Sequence, residues 1–203
     1  MTSLKNDEMF ALAALKQALK QYRELEDATW QAMQNIVRLR RLNKGQELYQ
    51  AGLTPRTFAF VYQGLVRAYA LDEKGAEYNK KFFMEGEFPG SMSALLTNTP
   101  SQVTIAALEP SMILEIDFAA YRKLLVQHHD LALFQIAYLE KNWLLEKDAR
   151  EIELVLSDAS QRYQRFLTDH GQLAARLTQY QIASHLGITP TQLSRIRKQI
   201  TAD

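Results

Sequence analysis

LTQYQIASHLGITPTQLSRIRKQI, residues 177–200, decides how the rest of the chain is read. It carries two helix starts of the same kind. Thr178 is followed three residues on by Gln181, and Thr189 by Gln192. In each pair the threonine oxygen and the glutamine side chain satisfy backbone N–H groups that a helix start leaves without partners. Leu177 with Ile182, and Ile188 with Leu193, supply the hydrophobic staples. Pro190 falls at a first helical position, where its missing N–H costs nothing. Gly187 suits the tight turn that ends the first helix. The pattern is helix, short turn, helix. At about 100° per residue, Leu193, Ile196 and Ile200 share the side of the second helix that must face the protein. Thr191, Arg195 and Lys198 fall opposite, with Gln192 and Ser194 flanking.

Charge separates a polyanion-binding helix from an ordinary helical hairpin with solvated charges. The 203 residues carry a net charge of +1. Between Asp169 and Asp203 there is no acid, while Arg176, Arg195, Arg197 and Lys198 are all basic. A basic end on a near-neutral chain is the footprint of a nucleic-acid partner. Arginine's fork of donors matches guanine O6 and N7, and lysine suits phosphate. Thr191, Gln192 and Arg195 are therefore the candidate base-reading residues. Thr178, Tyr180, Thr189, Ser194, Arg197 and Lys198 are the candidate phosphate contacts, several of them at helix N-termini. For Gln192 the capping role is a complete alternative explanation.

Working outward, residues 158–203 are read as a DNA-binding unit and residues 1–157 as a separate one. Residues 4–35 are predicted as helix, with Leu12, Leu15 and Leu19, then Trp30, Met33 and Ile36, at helical spacing. From 36 to 117 lie six of the eight glycines, between the β-rich runs TFAFVYQ, LVRAYAL, YNKKFF, QVTIAAL and MILEID. Short strands at this spacing predict an antiparallel barrel or jelly roll, with a hairpin around Lys74-Gly75. After Asp117 the chain reads as helix: 118–127, a long helix over 130–156, a hinge at 157–160, and a helix over 159–169. The class is α+β.

Hydrophobic content of 47% and charged content of 23% fit a folded chain, and no apolar run is long enough to span a bilayer. The start MTSLKNDEMF has acids where a secretion signal needs a basic then an apolar region, so a cytoplasmic protein is expected. With no cysteine there is no disulfide, thiolate metal site or cysteine nucleophile. The four histidines, His128, His129, His170 and His185, lie outside the β region, and no metal site is expected. GxxxxGK[ST], GxSxG and HExxH are all missing. Asp130, in His128-His129-Asp130, is read as a cap or first-turn acid, and no enzyme is expected.

The order helical lead, glycine-punctuated β-roll, long helix, helix-turn-helix resembles the CRP/FNR superfamily of bacterial transcription regulators. LNKGQELYQAG, VYQGLVRAY, FFMEGEFPGS and GITPTQLSRIRK carry the resemblance, which spans the chain from about residue 30. It implies a sensory β-roll like a cyclic-nucleotide-binding domain, a homodimer through the long helix, and binding of double-stranded DNA at an inverted repeat, with RNA polymerase as a further partner. Leu131, Phe134, Tyr138, Leu145 and Ile152, near heptad spacing, are the predicted dimer seam. Ala132, Ile136, Leu139 and Trp143 form a second apolar face. A twofold dimer places its recognition helices ~34 Å apart, one turn of B-DNA.

Two departures stand out. Where nucleotide-binding members carry Gly-Glu and Arg-Ser or Arg-Thr, this chain reads Gly90-Ser91 and Ser101-Gln102. No Lys or Arg occurs between Lys81 and Arg122, and Glu85 and Glu87 add negative charge. A buried phosphate without a cation lacks charge-assisted bonds, so cyclic AMP is not the expected effector and no other cofactor is assigned. Gly90, Ser91, Met92, Ser93, Thr99, Ser101 and Gln102 are the candidate lining for a different effector; an empty roll that only scaffolds is the alternative. Secondly, the sequence stops at Asp203, and the β-hairpin wing of the family is expected to be lacking. A ligand-binding or protein-interaction module with a vestigial DNA-binding unit is the competing function.

Overall fold

The computed structural model describes residues 2–200. Helices α1 (Thr2–Lys20) and α2 (Asp27–Gln34) lead into seven strands: β1 (Val37–Leu42), β2 (Glu47–Tyr49), β3 (Thr57–Gln63), β4 (Val66–Leu71), β5 (Glu77–Phe83), β6 (Thr104–Ala107) and β7 (Ser111–Asp117). A short helix α3 (Met92–Thr97) interrupts them between β5 and β6. The strands form two antiparallel sheets, β1-β7-β3 and β2-β6-β4-β5. The expected β-roll and the hairpin around Gly75 are present. The single helix expected over 4–35 is instead two. Leu25 turns into the core between them, and Asp130 accepts from Glu26 N (2.8 Å) and from Thr29 Oγ1 (2.9 Å), fixing where α2 begins.

Side-chain alternation sorts the strands into layers. Phe58 and Phe60 of β3 and Leu114 and Ile116 of β7 face α1, α2, α4 (Phe118–Gln127) and α5 (His129–Leu139). Ala59, Val61 and Ile113, between them in sequence, point into the roll, where they meet Val66, Ala68, Phe83, Ile105 and Ala107 of the other sheet. Strand β3 is thus buried on both faces over Phe58–Val61, which is why TFAFV reads as a near-continuous apolar run.

After α4 and α5, a π-helical stretch, Glu140–Leu145, joins α5 to α6 (Glu146–Leu156) in the place of one uniform helix. A π turn carries an extra residue, so the faces before and after it are rotated relative to one another. This corrects the predicted dimer seam. Leu131 and Phe134 are 0% and 3% exposed, and they pack with half-buried Tyr138 in the chain's own core. Leu145 and Ile152 lie outward, in company with Ile136, Leu139, Trp143 and Leu144. A heptad drawn through 131, 138, 145 and 152 crosses the π turn and therefore changes sides.

Asp158 and Gln161 form the capping box that opens α7 (Ala159–Asp169). Gly171 then begins a helix absent from the sequence reading, α8 (Gly171–Arg176). The chain continues through α9 (Gln179–Leu186) and α10 (Pro190–Ile200). Tyr163, Phe166, Leu173, Ile182, Ala183, Leu186 and Leu193 bury against one another and against Leu65 and Phe82 of the roll. The terminal helices therefore share one core with the outer face of the second sheet. Among the described residues no helix is long and apolar enough to cross a membrane.

Candidate nucleic-acid interface and sensor roll

Both predicted capping boxes are present. Gln181 N donates to Thr178 Oγ1 (3.2 Å) and Thr178 N to Gln181 Oε1 (2.8 Å). Gln192 N donates to Thr189 Oγ1 (3.2 Å) and Thr189 N to Gln192 Oε1 (2.9 Å). Gly187 sits at φ +68°, the left-handed conformation that glycine adopts without penalty. Leu193 is fully buried, and Ile196 and Ile200 are half-buried against the same core. Thr191, Gln192, Arg195, Arg197 and Lys198 are exposed, and Ser194 is half-buried. Thr178, Thr189 and Tyr180 are exposed nearby. The capping geometry limits Gln192: its amide oxygen is engaged, and only its N–H2 is left for a base. Adenine is read by glutamine through both atoms. The expected lack of a wing concerns positions past Ile200, outside the described residues.

Arg176, counted in the basic end, is committed elsewhere. It donates to Glu85 (2.8 and 3.0 Å) and to Glu109 (2.6 Å) on the roll. Glu85 also accepts from Gly64 N (2.8 Å). Burial works against ionisation of Glu85, but the bonds from Arg176 and Gly64 outweigh it and hold the carboxyl below its ordinary range. Glu85 is thus at the contact with the terminal helices rather than adding charge to an effector pocket.

A second contact uses the sheet's edge. β5 is an edge strand, whose outward backbone groups need partners. Ser184 Oγ donates to Glu77 O (2.6 Å) and accepts from Asn79 N (3.0 Å). His185 Nδ1 lies 2.8 Å from Asn79 O. A carbonyl only accepts, so Nδ1 carries the proton. His185 packs between Phe82 and Phe166, and this burial pushes its pKa down to about 4 despite the bond to Asn79. Asn79 is itself fully buried, and its side chain accepts from Arg67 (3.0 Å) and donates to Gln181 O (3.4 Å). Helix α9 therefore does what a neighbouring strand would do. No sequence signal marks Ser184 or Asn79 for this; Leu65 and Phe82, apolar on a face that needed a cover, are the nearest hint.

In the roll, Ser91 and Ser101 do come together. Both are buried, and their hydroxyls are hydrogen-bonded at 2.9 Å, with Ser101 Oγ also 2.6 Å from Val103 O. Gly90 is required: a Cβ there would come 2.9 Å from Phe58 Cβ. Ser93, Thr99 and Gln102 are exposed, whereas Met92 turns to the helical side of the first sheet. The predicted lining is thus divided between three places. Among the described residues, no group of three or more His, Asp or Glu is placed to hold a metal ion. Asp130 is a first-turn acid of α5 whose partners are Glu26, Thr29 and Leu131, and the cap residue is His128.

Known proteins agree with this architecture. The model of the cyclic nucleotide-binding domain matches residues 39–128. The fumarate and nitrate reduction regulatory protein of Vibrio cholerae is 29% identical over 176 residues, 80% of this chain and 68% of that protein. Regulatory protein HlyX of Actinobacillus pleuropneumoniae is 27% identical over 175 residues, 81% of this chain and 72% of its own length. In fold, the c-di-GMP-responsive global regulator CLP of Xanthomonas campestris superposes with a TM-score of 0.71 at 20% identity, covering 88% of this chain and 93% of that one. In its roll, along most of its length and in its order of elements, the chain is similar to transcription regulators of the CRP/FNR type.

Proposed function

We propose that this chain acts in the cytoplasm as a homodimeric, sequence-specific regulator that reads an inverted repeat in double-stranded DNA. Residues 158–203 are the reading unit and residues 1–157 the sensor and dimer unit. One observation carries this: α10 buries Leu193 and leaves Thr191 and Arg195 exposed, behind a Gly187 turn and two capped helix starts. Thr191 and Arg195 read bases. Gln192 adds a donor only. Thr178, Tyr180, Thr189, Ser194, Arg197 and Lys198 meet the phosphates of one half-site. The outward face of Ile136, Leu139, Trp143, Leu144, Leu145 and Ile152 meets its twin, replacing the seam read from heptads. The bound dimer acts on RNA polymerase. Cyclic AMP is not the effector, because Ser91 and Ser101 are turned to each other where the family's pocket would require a cation. Binding to selected DNA at several salt concentrations, by wild type and Arg195→Ala, tests the reading. A steep fall with salt and a preference lost at one position per half-site support it. Equal, weak binding to all sequences by both proteins rejects it.

A further inference from the structure

Arg176 stands two residues before Thr178, the first of the proposed phosphate contacts. Leu177 and Thr178 are extended, at φ −103°, ψ 146° and φ −74°, ψ 156°. Two extended residues span about 7 Å, within the length of an arginine side chain. The guanidinium is turned onto the roll instead. Nη1 and Nη2 donate to the two oxygens of Glu85 (2.8 and 3.0 Å), and Nη2 donates also to Glu109 (2.6 Å). Glu85 lies in the loop that leads from β5 to Gly90 and Ser91, and Glu109 in the turn between β6 and β7. Two carboxylates around one guanidinium leave the cluster with one net negative charge, beside a helix start placed to meet phosphate.

This grip has the chemistry of a phosphate site, because arginine's paired donors hold carboxylate and phosphate oxygens in the same way. It is also open to exchange. The side chains of Arg176, Glu85 and Glu109 are 27%, 42% and 38% exposed, and ion pairs this wet add little net stability. The terminal helices do not need it to stay on the roll. Leu65 and Phe82 share their core, and Ser184 and His185 bind the β5 edge.

We propose that Glu85 and Glu109 form an autoinhibitory clasp, holding Arg176 as a DNA phosphate would and so withholding one cation from each half-site. Released, Arg176 joins Thr178 at the DNA backbone. Held, the cluster turns a net negative charge toward the phosphates. The inference rests on the DNA-reading proposal. It gives the roll a hold on the strength of binding that leaves the choice of bases untouched.

Binding of the full chain to its selected DNA site across a salt series tests this. The proteins are wild type, Glu85→Gln with Glu109→Gln, and the triple variant that adds Arg176→Gln. Glutamine keeps a carbonyl oxygen for Gly64 N, so that bond of the loop survives. The double variant is expected to bind on the order of tenfold more tightly at about 0.15 M salt, with log K falling more steeply against log salt by about 0.9 per half-site. Its preference among single-base variants of the site stays that of wild type, and the triple variant loses both gains. Glu109→Gln alone leaves the bonds of Glu85 in place, gives a smaller rise in the same direction, and serves where the double variant does not fold. A double variant no tighter than wild type, or one with an unchanged salt slope, overturns the clasp. So does an equal gain in the triple variant, which assigns the effect to lost repulsion alone. A wild-type chain with no site-specific, Arg195-dependent binding rejects the DNA reading itself, and the clasp with it.

Discussion

Replacing Ser184 by alanine removes one oxygen and almost no packing. That oxygen serves two backbone groups on the β5 edge, the Glu77 carbonyl at 2.6 Å and the Asn79 N–H at 3.0 Å. Asn79 is fully buried, so water cannot take over without the terminal helices moving away. Each buried group left without a partner costs about 1–3 kcal/mol. With Glu77 nearer solvent, the lower end applies, and the pair comes to about 2 kcal/mol. Amide exchange at Asn79 reads this directly. Its protection should fall about thirtyfold in Ser184→Ala, at roughly 1.4 kcal/mol per factor of ten. Ser184→Thr keeps the hydroxyl and should keep most of the protection. An Asn79 amide exchanging equally slowly in Ser184→Ala would refute the idea that α9 completes the edge of the sheet.

Leu193→Ala hollows the core beneath α10, where Leu193 is 0% exposed. A loss of about 2–5 kcal/mol is expected in urea unfolding, with DNA binding reduced in step. His185 has a folded pKa of about 4 against an ordinary 6.5. The unfolded chain therefore binds more protons between these values, and stability falls as pH is lowered from about 6.5 to about 4. His185→Asn should flatten that slope in unfolding curves measured across the range; an unchanged slope would assign it to other groups. Arg195→Ala should cost about 1–3 kcal/mol on the selected DNA site and relax preference at one position, as read by competition with single-base variants. Uniform weakening would make Arg195 a phosphate contact.

What was legible in the sequence followed from strictly local chemistry. The helix starts at Thr178 and Thr189 depend on residues three apart, and each was visible as a pair, whereas the Asp158–Gln161 box lay at the stretch read as a hinge. Strands β3 to β7 were visible as short runs rich in β-forming residues, β3 to β5 of them punctuated by glycines. Strands β1 and β2 were less so: VRLRRL carries three arginines, and ELY is only three residues long. The seam of the long helix failed for a definable reason. Its apolar residues were projected on one uniform helix, whereas the π-helical stretch at Glu140–Leu145 rotates one half against the other. The charge count misassigned Arg176, because only the fold brings Glu85 and Glu109, 91 and 67 residues away, to its side chain. The candidate pocket was half visible: the Ser91–Ser101 pair was named, but placing Met92 required knowing which side of the sheet it faces.

Selection of genomic DNA fragments by the full chain, with affinity followed against salt and with or without cyclic AMP, tests the DNA-reading proposal most directly. An inverted-repeat site bound far above random DNA without nucleotide, and lost on Arg195→Ala, is the expected result. Enrichment only in the presence of cyclic AMP would contradict the reading of Ser91 and Ser101. Binding to all fragments alike, unchanged by Arg195→Ala, would contradict the assignment of α10 as the helix that reads DNA.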